Sequence, residues 1–188
     1  MAGLTDTEAG TITQVSSRLV YENPWLTVRE DQIERPDGSR GIYSVIDRPD
    51  CALVVAAEND GFHLVDQYRY PTAGRYWEFP QGCYPGRRDG DPAELARQEL
   101  AEETGLRAGR LVRLGRLFAW QGASGQLCTV FLATELEQGE PDREIGEQDM
   151  RHQWFPRVEF ERMIRTGQIR DDSTVAAYTL LLLHERAH

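Results

Sequence analysis

A helix with well-marked ends is predicted at residues 91–105. Asp91 can cap its N-terminus, Pro92 suits the first helical position, and Glu94 completes the spacing of a capping box. Gly105 can end the helix in the left-handed conformation. An apolar stripe runs along one side of the helix, and this side is expected to pack against the rest of the protein.

Three acidic residues share the neighbouring face of this helix. At about 100° per residue, Glu99, Glu102 and Glu103 fall within an arc of roughly 100°. Like charges three or four residues apart destabilise a helix by about 0.2–0.5 kcal/mol per pair. A hard divalent cation such as Mg²⁺ would relieve this repulsion, because it prefers carboxylate oxygens. The alternative is a solvated acidic face.

An aromatic strand end and a glycine-rich loop precede the acidic helix. The strand end is Tyr-Trp-Glu-Phe-Pro-Gln-Gly at residues 76–82, and the helix ends in Glu-Leu-Ala-Glu-Glu-Thr-Gly-Leu at residues 99–106. This order resembles the box of Nudix hydrolases, whose pattern closes with Arg-Glu-apolar-x-Glu-Glu-x-Gly-apolar. The second half of the box matches position by position, apart from the arginine.

The first half of the box departs from the family pattern. The family's arginine falls on Gln98, its earlier glutamate falls on Gly90, and its opening glycine matches Gly82 only if the loop is two residues longer. The neighbouring Arg97 lies about 100° further round the helix. Two interpretations stay open: metal ligands retained in a differently supported site, or a domain that binds nucleotide without hydrolysing it.

The resemblance extends to the ADP-ribose pyrophosphatase branch of the family, through residues 67–70, 78–82 and 167–172. It implies that Arg69 clamps a phosphate and that Glu78 lines the metal and substrate site. A rim salt bridge and a strand-end surface acid are the respective alternatives. The residues implied in metal binding are Glu99, Glu102, Glu103 and the backbone carbonyl of Gln81, with Mg²⁺ as cofactor and Mn²⁺ as a substitute. Glu102 is also a catalytic candidate.

Two further candidate groups lie outside the box. In this branch, the acidic segment at residues 140–149 carries a mobile glutamate that assists the attacking water, and Glu147 is the first candidate and Glu144 the second. A general base must come within one hydrogen bond of the water, which requires the loop to close on the substrate. A solvated acidic loop is the alternative. Trp25 could stack on a base, or it could be a core or interface residue.

The chain is expected to fold as an α/β protein in three parts. They are a flexible N-terminus at residues 1–10, a small antiparallel sheet at residues 11–47 and the catalytic domain at residues 48–188. Strands interleaved with three helices predict an α/β/α sandwich with a mixed sheet. The first sheet is thin to stand alone, and the resemblance implies that it is exchanged or packed across a homodimer. The predicted strands of this sheet are residues 12–21, 25–34 and 41–46.

Composition narrows the choice of partner. The chain has 188 residues and a net charge of −10, which argues against binding to nucleic acid or to an anionic membrane. All 21 basic residues are arginines, which excludes a P-loop lysine. Three cysteines, Cys51, Cys83 and Cys128, lack metal-ligand spacing and are expected to be reduced thiols of a cytoplasmic protein.

The predicted function is hydrolysis of the pyrophosphate bond of a nucleoside diphosphate sugar. ADP-ribose is the first candidate, and its products would be AMP and ribose 5-phosphate. GDP-mannose or another sugar nucleotide is a close alternative, because the box identifies the pyrophosphate and not the base or the sugar. An oxidised nucleotide or a dinucleoside polyphosphate is less favoured. A non-enzymatic nucleotide sensor is the alternative from a different class.

Overall fold

The computed structural model describes residues 11–84, 90–142 and 149–187, which form two sheets and three α-helices. The strands are β1 (Thr13–Glu22), β2 (Thr27–Glu34), β3 (Arg40–Asp47), β4 (Cys51–Glu58), β5 (Gly61–Arg69), β6 (Gly74–Glu78), β7 (Gln81–Cys83), β8 (Leu106–Phe118), β9 (Leu127–Gln138) and β10 (Arg151–Pro156). The helices are α1 (Pro92–Thr104), α2 (Arg157–Thr166) and α3 (Asp172–Ala187).

The N-terminal sheet is antiparallel, in the order β1-β2-β3. The second strand begins at Thr27 rather than at the predicted residue 25, because the Asn23 side chain accepts hydrogen bonds from the backbone N–H groups of Trp25 and Leu26 and holds them in a turn. Every residue of β1 is exposed. Its apolar side chains therefore have no covering layer within the described part of this chain.

The larger sheet is mixed and has the order β10-β5-β4-β9-β8, with β6 added beside β5 and β7 beside β4. Strands β4 and β9 are parallel, and the other pairs are antiparallel. Strands β4 and β5 pair only next to their connecting turn, since each then takes a different partner. Residues 79–80, between β6 and β7, therefore connect the two branches of a forked sheet.

Helices cover both faces of this sheet. Ala52, Val54 and Ala56 of β4 pack in the core with α1, while Leu53 and Val55 pack in the core with α2 and α3. Successive side chains of a strand point to opposite faces, so a continuous apolar run is what a strand buried on both sides requires. The predicted α/β/α sandwich is confirmed.

The ends of α1 are where the sequence places them. The Asp91 carboxylate accepts a hydrogen bond from the Ala93 N–H, and Gly105 has a left-handed φ of 77°. Strand β8 begins at Leu106, because Gly105 turns the chain directly from helix to strand. No helix among the described residues is long and apolar enough to cross a membrane.

Candidate active site

The turn between β6 and β7 is held to the sheet and to the last helix. The Val54 N–H donates to the Pro80 carbonyl at 2.9 Å, and the Phe79 N–H donates to Thr174 Oγ1 at 3.0 Å. Phe79 is fully buried and stacks on Phe160 with ring centroids 5.2 Å apart. The backbone of residues 78–82 is therefore fixed from two sides.

Gln81 connects this turn to two helices. Its N–H donates to Glu103 Oε2 at 3.2 Å, and its side-chain amide donates to Asp171 Oδ2 at 3.2 Å. Asp171 also accepts from the Thr174 N–H at 2.7 Å, so one carboxylate caps α3 and orients Gln81. Neither Asp171 nor Thr174 is among the site residues predicted from the sequence. The run Asp-Asp-Ser-Thr before an apolar helix is nevertheless an N-cap signal.

Gly82 lies directly against the Glu99 side chain. A Cβ atom at position 82 would overlap the Glu99 carboxylate, so the absence of a side chain at this position lets the helix glutamate approach the backbone of β7. Glu103, which is 2% exposed, reaches the same strand through Gln81. The structure thus brings Glu99, Glu103 and Gln81 together.

Arg69, at the end of β5, forms an ion pair with Glu78, at the end of β6. Glu78 is only 3% exposed, whereas nearly half of the Arg69 side chain is exposed. Burial raises the pKa of Glu78 to about 7, even though Arg69 acts in the opposite direction; Asp171 and Asp66 also raise it. A carboxyl with this pKa can gain or lose a proton near neutral pH.

Gln98 occupies the position at which the family pattern has arginine. Its side-chain amide donates to Glu102 Oε1 at 2.9 Å, one helical turn further on. Arg97 instead donates to the Ala108 carbonyl at 2.7 Å, which agrees with the expectation that it turns away from Glu102. A neutral amide therefore supports Glu102 in this chain.

The acidic segment that contains the predicted general base is anchored at both described ends. The Asp142 N–H donates to the Glu102 carbonyl at 3.1 Å, and the Arg75 guanidinium donates to the Asp149 carbonyl at 2.8 Å. Glu144 and Glu147 lie outside the described residues. The connection therefore begins at the C-terminal turn of α1 and ends beside β6.

Trp25 is in the turn between β1 and β2, and 72% of it is exposed. Within the described residues, no hydrogen bond, ion pair or ring contact joins its side chain to the glutamates of α1. The structure does not bring it together with the other candidates in one chain.

The described residues contain no group of three or more His, Cys, Asp or Glu side chains arranged to hold a metal ion. The donors near Gly82 nevertheless fit a hard divalent cation. They are the carboxylate oxygens of Glu99 and Glu103, held against the backbone of β7. Glu99 and Glu103 are thus compatible with such an ion, and Glu102 follows on the same face of α1.

Cavities lie elsewhere in the described part of the chain. One of about 310 Å³ is between β3 and the turn joining β8 to β9, and one of about 590 Å³ adjoins the start of α1. Neither is lined by Arg69, Glu78 or the α1 glutamates. The acidic face of α1 and the Arg69–Glu78 pair therefore lie outside both cavities.

Comparison with known families identifies the class of the protein. The NUDIX domain matches residues 47–178, and the nucleoside diphosphate sugar hydrolase N-terminal domain matches residues 12–46. The chain therefore belongs to the Nudix family, and it is a Nudix hydrolase.

Individual relatives cover most of the chain. It is 32% identical to an ADP-ribose pyrophosphatase of Mycobacterium tuberculosis over 86% of this chain and 79% of the relative. It is 24% identical to an ADP-ribose pyrophosphatase of Bacillus subtilis over 91% of this chain and 92% of the relative. The crystal structure of an ADP compounds hydrolase has the same fold, with a TM-score of 0.83, 19% identity and 97% of each chain covered.

Proposed function

We propose that this protein hydrolyses the pyrophosphate bond of a nucleoside diphosphate sugar, with ADP-ribose as the first substrate, to give AMP and ribose 5-phosphate. The observation that carries the proposal is the junction of the acidic face of α1 with the turn at residues 78–82, beside Arg69. Both curated relatives described above are named ADP-ribose pyrophosphatases.

Arg69 is the proposed phosphate ligand. Its guanidinium is planar and permanently charged, which suits bidentate contact with phosphate oxygens. Glu78 holds this guanidinium from the buried side, while the exposed part of the side chain stays available to a ligand. Glu78 is proposed to line the same site.

The proposed metal ligands are Glu99, Glu102, Glu103 and the Gln81 carbonyl, with Mg²⁺ as the physiological ion and Mn²⁺ as a substitute. A bound divalent ion neutralises a pyrophosphate and lowers the pKa of a coordinated water. The protein's own part is to orient the carboxylates. Gln98 donates to Glu102, and the Gln81 N–H donates to Glu103.

A glutamate of the acidic segment is proposed to take the proton of the attacking water. Glu147 is the first candidate and Glu144 the second, from the family resemblance. Support comes from the hydrogen bonds on either side of this segment. Asp142, before it, is bonded to Glu102, and Asp149, after it, is bonded to Arg75. A general base must lie within hydrogen-bonding distance of the water, which only a residue close to α1 can satisfy.

A homodimer is proposed to cover the N-terminal sheet. Five large apolar side chains of β1 and the residue before it are about half exposed, and soluble monomers rarely leave a large apolar patch uncovered. They are Ile12, Val15, Leu19, Val20 and Tyr21. Trp25 follows on the same hairpin, so its proposed stacking on a base would occur in the site of the partner.

The test is a direct assay of the purified chain with ADP-ribose, GDP-mannose, a dinucleoside polyphosphate and an oxidised nucleoside triphosphate. Each is incubated with Mg²⁺ and with excess chelator, and products are separated by chromatography. Release of AMP from ADP-ribose with Mg²⁺ alone is expected. If another nucleotide is hydrolysed faster, that nucleotide replaces ADP-ribose as the proposed substrate. Binding without turnover would favour the sensor.

A further inference from the structure

The three cysteines of the chain lie side by side on adjacent strands. Cys83 of β7 is directly opposite Cys51 of β4, and Cys51 is directly opposite Cys128 of β9. Residues opposite each other in a sheet project to the same face. The Cys51 side chain therefore lies beside those of both Cys83 and Cys128. Because these residues are far apart in the sequence, no local sequence pattern indicates that they are neighbours.

The backbone register brings Cys51 and Cys83 within the span of a disulfide. The Val54 N–H bonds to the Pro80 carbonyl, and bonded and non-bonded pairs alternate along an antiparallel ladder. Three steps further, Cys51 and Cys83 are a non-bonded pair, for which the Cα separation is about 4.5 Å. Disulfides span Cα separations of about 4.4–6.8 Å.

Exposure distinguishes this pair from the alternative with Cys128. Cys51 and Cys83 are both partly exposed, whereas Cys128 is 3% exposed in the core with α2 and α3. An oxidant from solution therefore reaches Cys83 or Cys51 before it reaches Cys128. Once one of the two exposed thiols has reacted, the other is the accessible partner.

We propose that Cys51 and Cys83 are an oxidation site, which forms a reversible intramolecular disulfide on reaction with a small-molecule disulfide and thereby lowers hydrolase turnover. The thiolate of one cysteine displaces a small thiolate and forms a mixed disulfide. The second cysteine, after losing its proton to solvent, attacks the protein sulfur and releases the second small thiolate. Two protein thiols are oxidised and one small disulfide is reduced to two thiols.

The effect on turnover rests on the proposed function and follows from the position of Cys83. It is next to Gly82, which packs on Glu99, and two residues from Gln81, whose N–H binds Glu103. Bond formation brings two sulfurs to about 2.05 Å with a fixed torsion angle. Closing the bond fixes the short strand β7 against β4 in this geometry, and the contacts of Glu99 and Glu103 with β7 are expected to adjust with it.

The surroundings of the thiols make the reaction dependent on pH. The neighbouring Cys128 thiol, together with burial, raises the pKa of Cys51 to about 12. Because the thiolate is the nucleophile, oxidation is expected to be slow near neutral pH and to accelerate as the pH rises.

Peptide mapping tests the oxidation site. The full-length protein is incubated with oxidised glutathione, alkylated and cleaved after arginine, which puts the three cysteines on different peptides because Arg69, Arg75 and Arg116 separate them. A Cys51–Cys83 linked peptide, reversed by dithiothreitol, is expected from the wild type and from Cys128→Ala. A Cys51–Cys128 link, or no link after prolonged oxidation, would overturn the proposal.

Activity tests the regulatory half with a separate readout. Oxidised wild type is expected to lose activity severalfold and to recover it in dithiothreitol, while Cys83→Ser and Cys51→Ser keep their activity through the same treatment. A linked protein with unchanged turnover would refute regulation and leave the oxidation site standing. If no nucleotide is hydrolysed at all, the proposed function fails, and peptide mapping still decides whether the disulfide forms.

Discussion

Gln98 donates its side-chain amide to Glu102 Oε1 at 2.9 Å, so a residue that departs from the family pattern still contacts a carboxylate of the acidic face. The two residues are four positions apart on α1, where side chains meet on one face. A neutral amide supplies one hydrogen bond to the carboxylate but no positive charge. The departure at Gln98 therefore changes how Glu102 is supported without leaving it unsupported.

Replacing Gln98 tests this support. Gln98→Leu keeps a similar volume and removes the donor, and we expect kcat/KM to fall about tenfold, since a hydrogen bond to a charged group contributes about 1.5 kcal/mol. Gln98→Arg restores a donor and is expected to retain at least wild-type activity. Steady-state kinetics on the preferred nucleotide measures both. An arginine variant weaker than the leucine variant would contradict the supporting role.

The close contact of Gly82 with Glu99 predicts a strict size limit at this position. In Gly82→Ala the new methyl group overlaps the Glu99 carboxylate, so Glu99 or strand β7 must shift. We expect a large loss of turnover and weaker Mg²⁺ binding by calorimetry. Gly122→Ala is the matched control, because nothing lies within 4 Å of its Cβ position. Equal activity of the two variants would show that the close contact between Gly82 and Glu99 is not needed for the reaction.

Glu78 should make stability depend on pH in a defined direction. Its pKa is raised from 4.5 to about 7 in the folded protein, so between these values the native state holds more protons than the unfolded state. The stability conferred by the protonated form is present below pH 4.5 and is lost as the pH rises through 7. The full effect is on the order of 3 kcal/mol, from about 1.4 kcal/mol per unit.

Glu78→Gln removes this titration. As the pH rises from about 5 to about 8, wild type loses this stability and the variant does not. The difference in free energy of unfolding, measured by denaturant titration, should therefore shift in favour of the variant. Glu137→Gln, at an exposed position of β9, is the control and should show no such trend. If Glu78→Gln and wild type change in parallel with pH, the buried carboxyl is ionised throughout.

Local patterns predicted part of the site because they depend on residues close together in the chain. The carboxylates of Glu99, Glu102 and Glu103 share a face through helical periodicity alone, and the caps at Asp91 and Gly105 are local as well. The hydrogen bond from Gln81 to Asp171 spans 90 residues, so no local pattern contains it. An N-cap signal can place Asp171 at a helix start without revealing its second partner.

Short strands were the other limit of prediction from sequence. Strands β6 and β7 have five and three residues, which is too few for alternation to distinguish them from the turn that they flank. The alignment of Cys83 with Cys51 depends entirely on the register of β7. For this reason the sequence presents three separate cysteines, while the fold places them on neighbouring strands.

A charge on the exposed apolar strand tests the proposed homodimer. Leu19 is 57% exposed on β1, and Leu19→Glu would bury an unpaired carboxylate if a partner covers this strand. We expect light scattering to report the mass of two chains for wild type and of one chain for the variant. Val158→Glu is the control, because Val158 is 71% exposed on α2, outside this sheet. A wild-type monomer would refute the dimer.

Glu103→Gln tests whether the reaction needs the negative charge of Glu103, because glutamine keeps the size and shape of the side chain. Glu103 is 2% exposed and accepts the Gln81 N–H, and a glutamine oxygen can accept the same hydrogen bond in the same volume. The fold should therefore survive, with unchanged circular dichroism. Loss of the carboxylate should reduce turnover by about two orders of magnitude, equivalent to about 3 kcal/mol.

The matched control for Glu103→Gln is Glu94→Gln, in the first turn of the same helix. Both variants lose one negative charge from α1, so any general effect of charge on the helix or on an approaching anion is common to them. Only Glu103 meets the backbone of Gln81, so only its replacement should weaken Mg²⁺ binding together with turnover. Near-full activity of Glu103→Gln would show that the reaction does not depend on this carboxylate, and the proposed metal ligands would have to be sought elsewhere.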